Sequence, residues 1–347
     1  MGTGVLALAL NQIDGPSSIW HAVAFALWGL ALALFCTSGL LYALRWAMFF
    51  DEAKQIYRHA VAPMFLGAIP MALATVINGF LAFITPHLPV AIGLIALPLW
   101  WMDALMAAAC AWALPHWMFT RLEHRLDSMT AVWLLPMVAA EVAAVSGGQI
   151  LHQMAPGPLA TTVLYVSYSL WSLSVFPAMG VLVILFLRMV LHKLPPPEMA
   201  ISSWLALGPI GTGALGLIVL GREADRMFTG THQATLGAIA SQAGVFGALL
   251  LWGYGLYWLI TAALITLREL KRKLPFNLGW WGLTFPLGVY ALSTLALARA
   301  TDTYFFQVLG QIFVMTLAVL WSIVAWRTTV GIYRGGLFVA PCLGKAG

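Results

Sequence analysis

The chain has 347 residues, 62% of them hydrophobic and only 8% charged, whereas ordinary soluble domains are about 45–50% apolar and about 25% charged. No water-soluble fold of this length can hide so much apolar surface, so residues 1–347 read as a single transmembrane domain embedded in a lipid bilayer. The net charge of +5 is no nucleic-acid signature, because the basic residues sit in short stretches between apolar runs.

In chain order, apolar stretches fall near 1–11, 19–48, 60–85, 88–116, 130–151, 160–190, 200–221, 235–266, 278–298 and 303–332. The first is about half of the roughly 20 residues a span needs; the other nine are long enough. Alternate loops carry Arg45, Lys54, Arg58; Arg121, Arg125; Arg188, Lys193; Arg268, Lys271, Arg272, Lys273; and Arg327, Arg334, Lys345. That is 14 of the 17 basic residues, and the opposite loops hold only Arg222, Arg226 and Arg299. This asymmetry places both termini in the cytoplasm of a multi-pass inner (cytoplasmic) membrane protein. It requires the first stretch to count as a span, so ten spans are predicted, the first short or truncated.

A repeat organises the odd-numbered spans. Phe65 to Pro70, Trp204 to Pro209 and Trp281 to Pro286 share an aromatic-x4-Pro pattern, and Trp133 to Pro136 is a compressed version. The four prolines lie 66, 73 and 77 residues apart, about two helices plus two loops. One further period back from Pro70 lands in the glycine-flanked start, Gly2-Thr3-Gly4. The expected architecture is all-α: five helical hairpins in pseudo-fivefold array, with kinked odd helices around a central pore and even helices outside. Gly2, Gly4, Pro70, Pro136, Gly208, Pro209 and Pro286 are the candidate kink and pore-lining positions.

Few polar groups enter the spans. Glu141 on the fifth and Asp103 on the fourth each cost about 2.5–3.5 kcal/mol at a helix centre and need a partner, water or a proton. Glu141 either titrates during transport or hydrogen-bonds between helices. Asn78, eight residues after Pro70, and Thr212, three after Pro209, either contact an anion or bridge helices; Thr284 joins them as a possible anion contact. Arg222-Glu223-Ala224-Asp225-Arg226 either draws anions to the mouth or forms a solvated, ion-paired loop.

The three cysteines, Cys36, Cys110 and Cys342, have neither metal-ligand nor disulfide spacing. Leu6 stands where a myristoylation signal wants a hydroxyl, and the start lacks a positive n-region. All eight histidines fall near span ends or in loops, which does not suit a membrane b-type haem. No Walker, dinucleotide or zinc motif appears, so no enzyme activity, cofactor or metal is expected.

Met1-Gly2-Thr3-Gly4, FLGAIPMALATVINGF (65–80), WLLPMVAAEVAA (133–144), LPPPEMAISSWLALGPIGTGAL (194–215) and GWWGLTFPLGVYALSTLAL (279–297) together resemble the tellurite-resistance/dicarboxylate transporter family. That family includes fungal malate permeases and sulfite efflux pumps, bacterial tellurite-resistance proteins and the slow-type anion channels of plant guard cells. The resemblance spans essentially the whole chain and lies nearer the malate and sulfite branch. It implies a ten-helix protomer around an anion pore, a homotrimer, and a phenylalanine gate on the ninth helix that maps onto Phe285. Here the sequence starts at the methionine that an aromatic-rich half-helix precedes in the family, leaving the first helix truncated.

The residues themselves fit such a gate. Ile69, Leu135, Gly208 and Phe285 precede the four prolines, so only the ninth helix offers an aromatic there. A phenyl ring at one level of a narrow pore blocks it sterically and by dewetting. The expected function is transport of small anions, C4-dicarboxylates such as malate foremost. Sulfite or tellurite-related efflux is the alternative in the same fold, and a membrane subunit of a redox complex the alternative of another class.

Overall fold

The computed structural model describes residues 1–13, 18–335 and 337; Cys342 and Lys345 lie outside them. Ten helices carry the fold: α1 (Gly2–Leu10), α2 (Ile19–Met48), α3 (Ala68–Phe83), α4 (Leu97–Thr120), α5 (Leu135–His152), α6 (Pro158–His192), α7 (Leu207–Phe228), α8 (Ala234–Leu270), α9 (Thr284–Thr301) and α10 (Tyr304–Tyr333). Short 3₁₀ and single-turn pieces connect them, and no strand occurs among the described residues. Among these residues nine helical stretches are long and apolar enough to cross a bilayer. The nine residues of α1 rise only about 13 Å, less than half of a hydrocarbon core.

The repeated prolines mark a different local structure from a mid-helix kink. Four 3₁₀ segments, Ala62–Gly67, Ala131–Leu134, Pro197–Ala206 and Leu278–Leu283, run directly into α3, α5, α7 and α9. Pro70, Pro136, Pro209 and Pro286 then fall in the first turn of each α-helix. A proline is tolerated there because its missing N–H would have no intrahelical acceptor anyway. The break in these four inner helices is therefore a 3₁₀-to-α junction. Prolines inside α-helices belong to the outer set, Pro115 in α4 and Pro177 in α6.

The odd-numbered helices close a ring: α1 packs on α3, α3 on α5, α5 on α7, α7 on α9, and α9 back on α1. Residues of α5, α7 and α9 are buried almost throughout, whereas α2 buries only Ala24, Trp28 and Ala31. Without water to drive helices together, such a ring depends on close packing of small residues. A Cβ on Gly211 of α7 would stand 2.8 Å from the Tyr290 backbone nitrogen of α9. No rotamer change relieves a backbone clash, so this contact requires glycine.

Tryptophans tie the outer layer to the ring. Indole N–H groups donate from Trp28 (α2) to the Val76 carbonyl at 3.1 Å, from Trp100 (α4) to Ala143 O at 2.8 Å, and from Trp171 (α6) to Gly213 O at 2.9 Å. Trp252 (α8) donates to Thr294 Oγ1 at 2.9 Å and Trp321 (α10) to Thr3 Oγ1 at 3.1 Å. Each even helix thus bonds to the following odd helix, and α10 returns to α1. An indole N–H in a lipid-embedded layer needs such an acceptor, and the rings of Trp28, Trp100 and Trp171 lie against Gly79, Gly147 and Gly216 of the same inner helices.

Candidate functional site

The C-terminal halves of all five inner helices converge on one cavity of about 430 Å³. Its wall is Leu8, Asn11 and Gln12 at the end of α1, Asn78, Leu81 and Ala82 of α3, and Val145, Gln149, His152 and Gln153 at the end of α5. Helix α7 adds Leu215, Ile218, Val219 and Arg222, and α9 adds Leu292, Ala296, Arg299 and Ala300. Two arginines and several amides face it, and no carboxylate lines it among the described residues.

The repeat explains why these side chains share a level. Gln149, Arg222 and Arg299 each stand 13 residues after their helix's proline, Pro136, Pro209 and Pro286. One or two turns deeper the wall is mostly apolar, with Val145, Leu215 and Leu292, and Asn78 is its polar member at that depth. A polar mouth therefore leads to a mostly apolar deeper level.

Phe285 lies seven residues before Leu292, so both fall on one face of α9 about 10 Å apart along the axis. It is 4% exposed. On α7 the matching residue, seven before Leu215, is Gly208, where an added Cβ would meet only the Val138 methyls, at 3.8 and 3.9 Å. The level that holds a phenyl on α9 is open on α7.

The remaining candidates divide by environment. Gly2 and Gly4 pack against neighbours: a Cβ on Gly2 would collide with Thr284 Oγ1, and one on Gly4 would come within 2.6 Å of Thr75 Oγ1. Thr284 is fully buried and donates to the Trp281 carbonyl at 2.7 Å, across the junction into α9. Asn78 faces the cavity and its Oδ1 has no hydrogen-bond partner, and the buried Thr212 hydroxyl is likewise unpartnered. With Glu141, they are the buried, unpartnered polar side chains of the inner helices among the described residues.

Glu141 is fully buried and both its oxygens lack a partner, yet it does not line the cavity. Its carboxylate sits behind the α5–α7 contact, where a Cβ on Gly213 would approach Val175 of α6, Leu251 of α8 and Glu141 Oε2. Asp103 is similarly buried and unpartnered on the outer helix α4.

The charged cluster after the seventh span is helical, because α7 runs on to Phe228. Glu223, fully buried, is the hub: Arg226 Nε donates to its Oε2 at 2.7 Å, Arg222 Nε to its Oε1 at 3.2 Å, and His152 Nδ1 lies 3.1 Å from Oε1. Arg226 also donates to the carbonyls of Leu151 at 2.6 Å and Met154 at 3.2 Å, capping the end of α5. Arg222 is partly neutralised, Arg226 is turned to the wall, and Arg299 makes no ion pair among the described residues. Arg299, Gln149 and the tryptophan series were not singled out from the sequence, although the 13-residue offset and the spacing of the tryptophans were both visible in it.

A helical membrane protein whose inner helices share one cation-lined cavity over a mostly apolar deeper level is built as a membrane transport protein for anions. The chain belongs to the voltage-dependent anion channel (SLAC1) family, whose model matches residues 1–329. It is 34% identical over 326 residues to the sulfite efflux pump SSU1 of Trichophyton rubrum, covering 93% of this chain and 86% of the relative. It is 27% identical over 339 residues to an uncharacterized transporter of Methanocaldococcus jannaschii, covering 97% and 92%. It is 20% identical over 340 residues to the malic acid transport protein of Schizosaccharomyces pombe, covering 94% and 75%. Family members are anion transporters and channels, not enzymes.

Proposed function

We propose that the chain conducts small oxyanions through the ring of α1, α3, α5, α7 and α9, with Phe285 as the gate and sulfite as the leading substrate. The observation that carries this reading is the cavity shared by all five inner helices, lined by Arg222 and Arg299 with no acidic side chain in its described wall. The preference for sulfite over malate, the reverse of the order expected from the sequence, is supported by the names of the more similar relatives. Malate remains the second reading, favoured by the relative named a malic acid transporter.

The lysine and arginine distribution orients the cavity away from the cytoplasm and both termini towards it. The homotrimer rests on the family resemblance and is tested by the mass of the detergent-solubilised protein. Glu141 is the proton-linked candidate: Glu141→Gln then removes the pH dependence of flux, and an unchanged pH profile excludes the role. The function is tested by the rates at which sulfite and malate leave loaded proteoliposomes, against protein-free vesicles. Faster sulfite release supports the reading, faster malate release supports the second, and no release of either removes both.

A further inference from the structure

The cavity offers more than a wide entrance to a pore. Its polar level is built from equivalent positions of three consecutive inner helices, Gln149, Arg222 and Arg299. These groups are unequally committed. Arg222 is shared with the buried Glu223, while Arg299 is exposed and without an ion pair among the described residues. About a turn deeper, Asn78 lines the same cavity, and its buried amide oxygen has no hydrogen-bond partner among the described residues.

From this arrangement we propose that the cavity is an oxyanion-docking site at the non-cytoplasmic mouth, in which Arg299 supplies the uncompensated charge and Gln149, Arg222 and Asn78 supply hydrogen-bond donors. A guanidinium fork binds two oxygens of one sulfite, sulfate or carboxylate side by side, which a halide cannot reproduce. The site therefore ranks oxyanions above chloride. Asp225 and Asp302 are near in sequence but do not line the cavity, and Glu223 offsets one arginine. The residual positive charge is small, which suits an anion that must leave again. Leu215 and Leu292 lie two turns below the arginines, with Asn78 and Val145 between, so an anion meets the polar groups before the apolar level.

This inference rests on anions passing the ring, but its test separates the two claims. Purified protein is titrated with sodium sulfite, sulfate, malate and chloride at low ionic strength, reading thermal stabilisation, for wild type, Arg299→Gln and Arg299→Lys. Sulfite flux into proteoliposomes is measured for the same three proteins, each first shown to be monodisperse. The expected result is stabilisation of wild type by the three oxyanions and not by chloride. Arg299→Gln should raise the half-saturating concentration about tenfold and weaken its salt dependence, with partial rescue by Arg299→Lys. Oxyanion stabilisation lost in Arg299→Gln supports the site even where wild type shows no flux, an outcome that would remove only the conduction reading. Wild-type flux with identical half-saturation and salt dependence in Arg299→Gln overturns the site and leaves conduction standing. Equal stabilisation by chloride and the oxyanions also overturns it.

Discussion

Replacing Phe285 by alanine separates a gate from a packed core residue, because the two roles carry opposite consequences. The ring is 4% exposed, and truncating a phenylalanine embedded in a packed core costs about 3–5 kcal/mol in stability. If the ring instead closes a lumen, few packing contacts are lost and the energetic change falls on permeation. Phe285 lies seven residues before the cavity-lining Leu292 on the same face of α9, at the register that Gly208 holds on α7. The proposed gate role puts the effect on permeation. Removing a steric barrier of only about 1.4 kcal/mol raises the rate tenfold, so Phe285→Ala should increase sulfite flux into proteoliposomes by at least about tenfold. Its thermal midpoint in detergent should stay within a few degrees of wild type, and Phe285→Leu should fall between the two. Unchanged flux together with a large drop in midpoint would refute the reasoning and make Phe285 a core side chain.

Other substitutions probe the frame around the pathway. Trp100→Phe removes the 2.8 Å donation to Ala143 O and should cost about 0.5–1.5 kcal/mol, read as a lower thermal midpoint with flux per folded protein retained. Gly211→Val places a branched side chain against the Tyr290 backbone, so no monodisperse peak should survive size-exclusion chromatography; a normally folded protein would contradict the α7–α9 packing. Glu223→Gln releases Arg222 from its ion pair, while Arg226 keeps its bonds to Leu151 O and Met154 O. The half-saturating sulfite concentration should then fall at low salt, and an unchanged value would show that Glu223 does not set the charge of the mouth.

Much of this molecule was readable from residue order, and the parts that were not have physical reasons. Span positions follow from continuous apolar runs and basic loops, signals that survive without any knowledge of packing. The proline repeat marked the inner helices correctly, yet its local structure did not follow from it. Pro70, Pro136, Pro209 and Pro286 mark first turns preceded by 3₁₀ segments, and an apolar 3₁₀ turn has no pattern that distinguishes it from an α-turn. The end of α7 was placed too early because Arg222 to Arg226 looks like a charged loop. In the structure the helix runs on to Phe228, with Glu223 paired to Arg226 three residues on.

The tryptophans show the opposite case, a signal present and passed over. Trp28, Trp100, Trp171, Trp252 and Trp321 follow one another at 72, 71, 81 and 69 residues. Among 16 tryptophans that period is hard to see until the hydrogen bonds show which five belong together. Glu141 could not be placed from sequence at all. Its position on α5 differs from the cavity face by a fraction of a turn, and only the packing of α7 against α5 shows that its carboxylate reaches Gly213 instead of the cavity.

The most direct test of the pathway is to plug it between the mouth and Phe285. Leu292 lines the cavity on α9, seven residues above Phe285, whereas Met315 on α10 is exposed on the outer surface. In a background with Cys36, Cys110 and Cys342 replaced by serine, Leu292→Cys and Met315→Cys are labelled to completion with a bulky maleimide, and sulfite flux is then measured. Conduction through the inner ring predicts that labelling at Leu292→Cys abolishes flux while labelling at Met315→Cys leaves it intact. Full flux after complete labelling at Leu292→Cys would contradict the account.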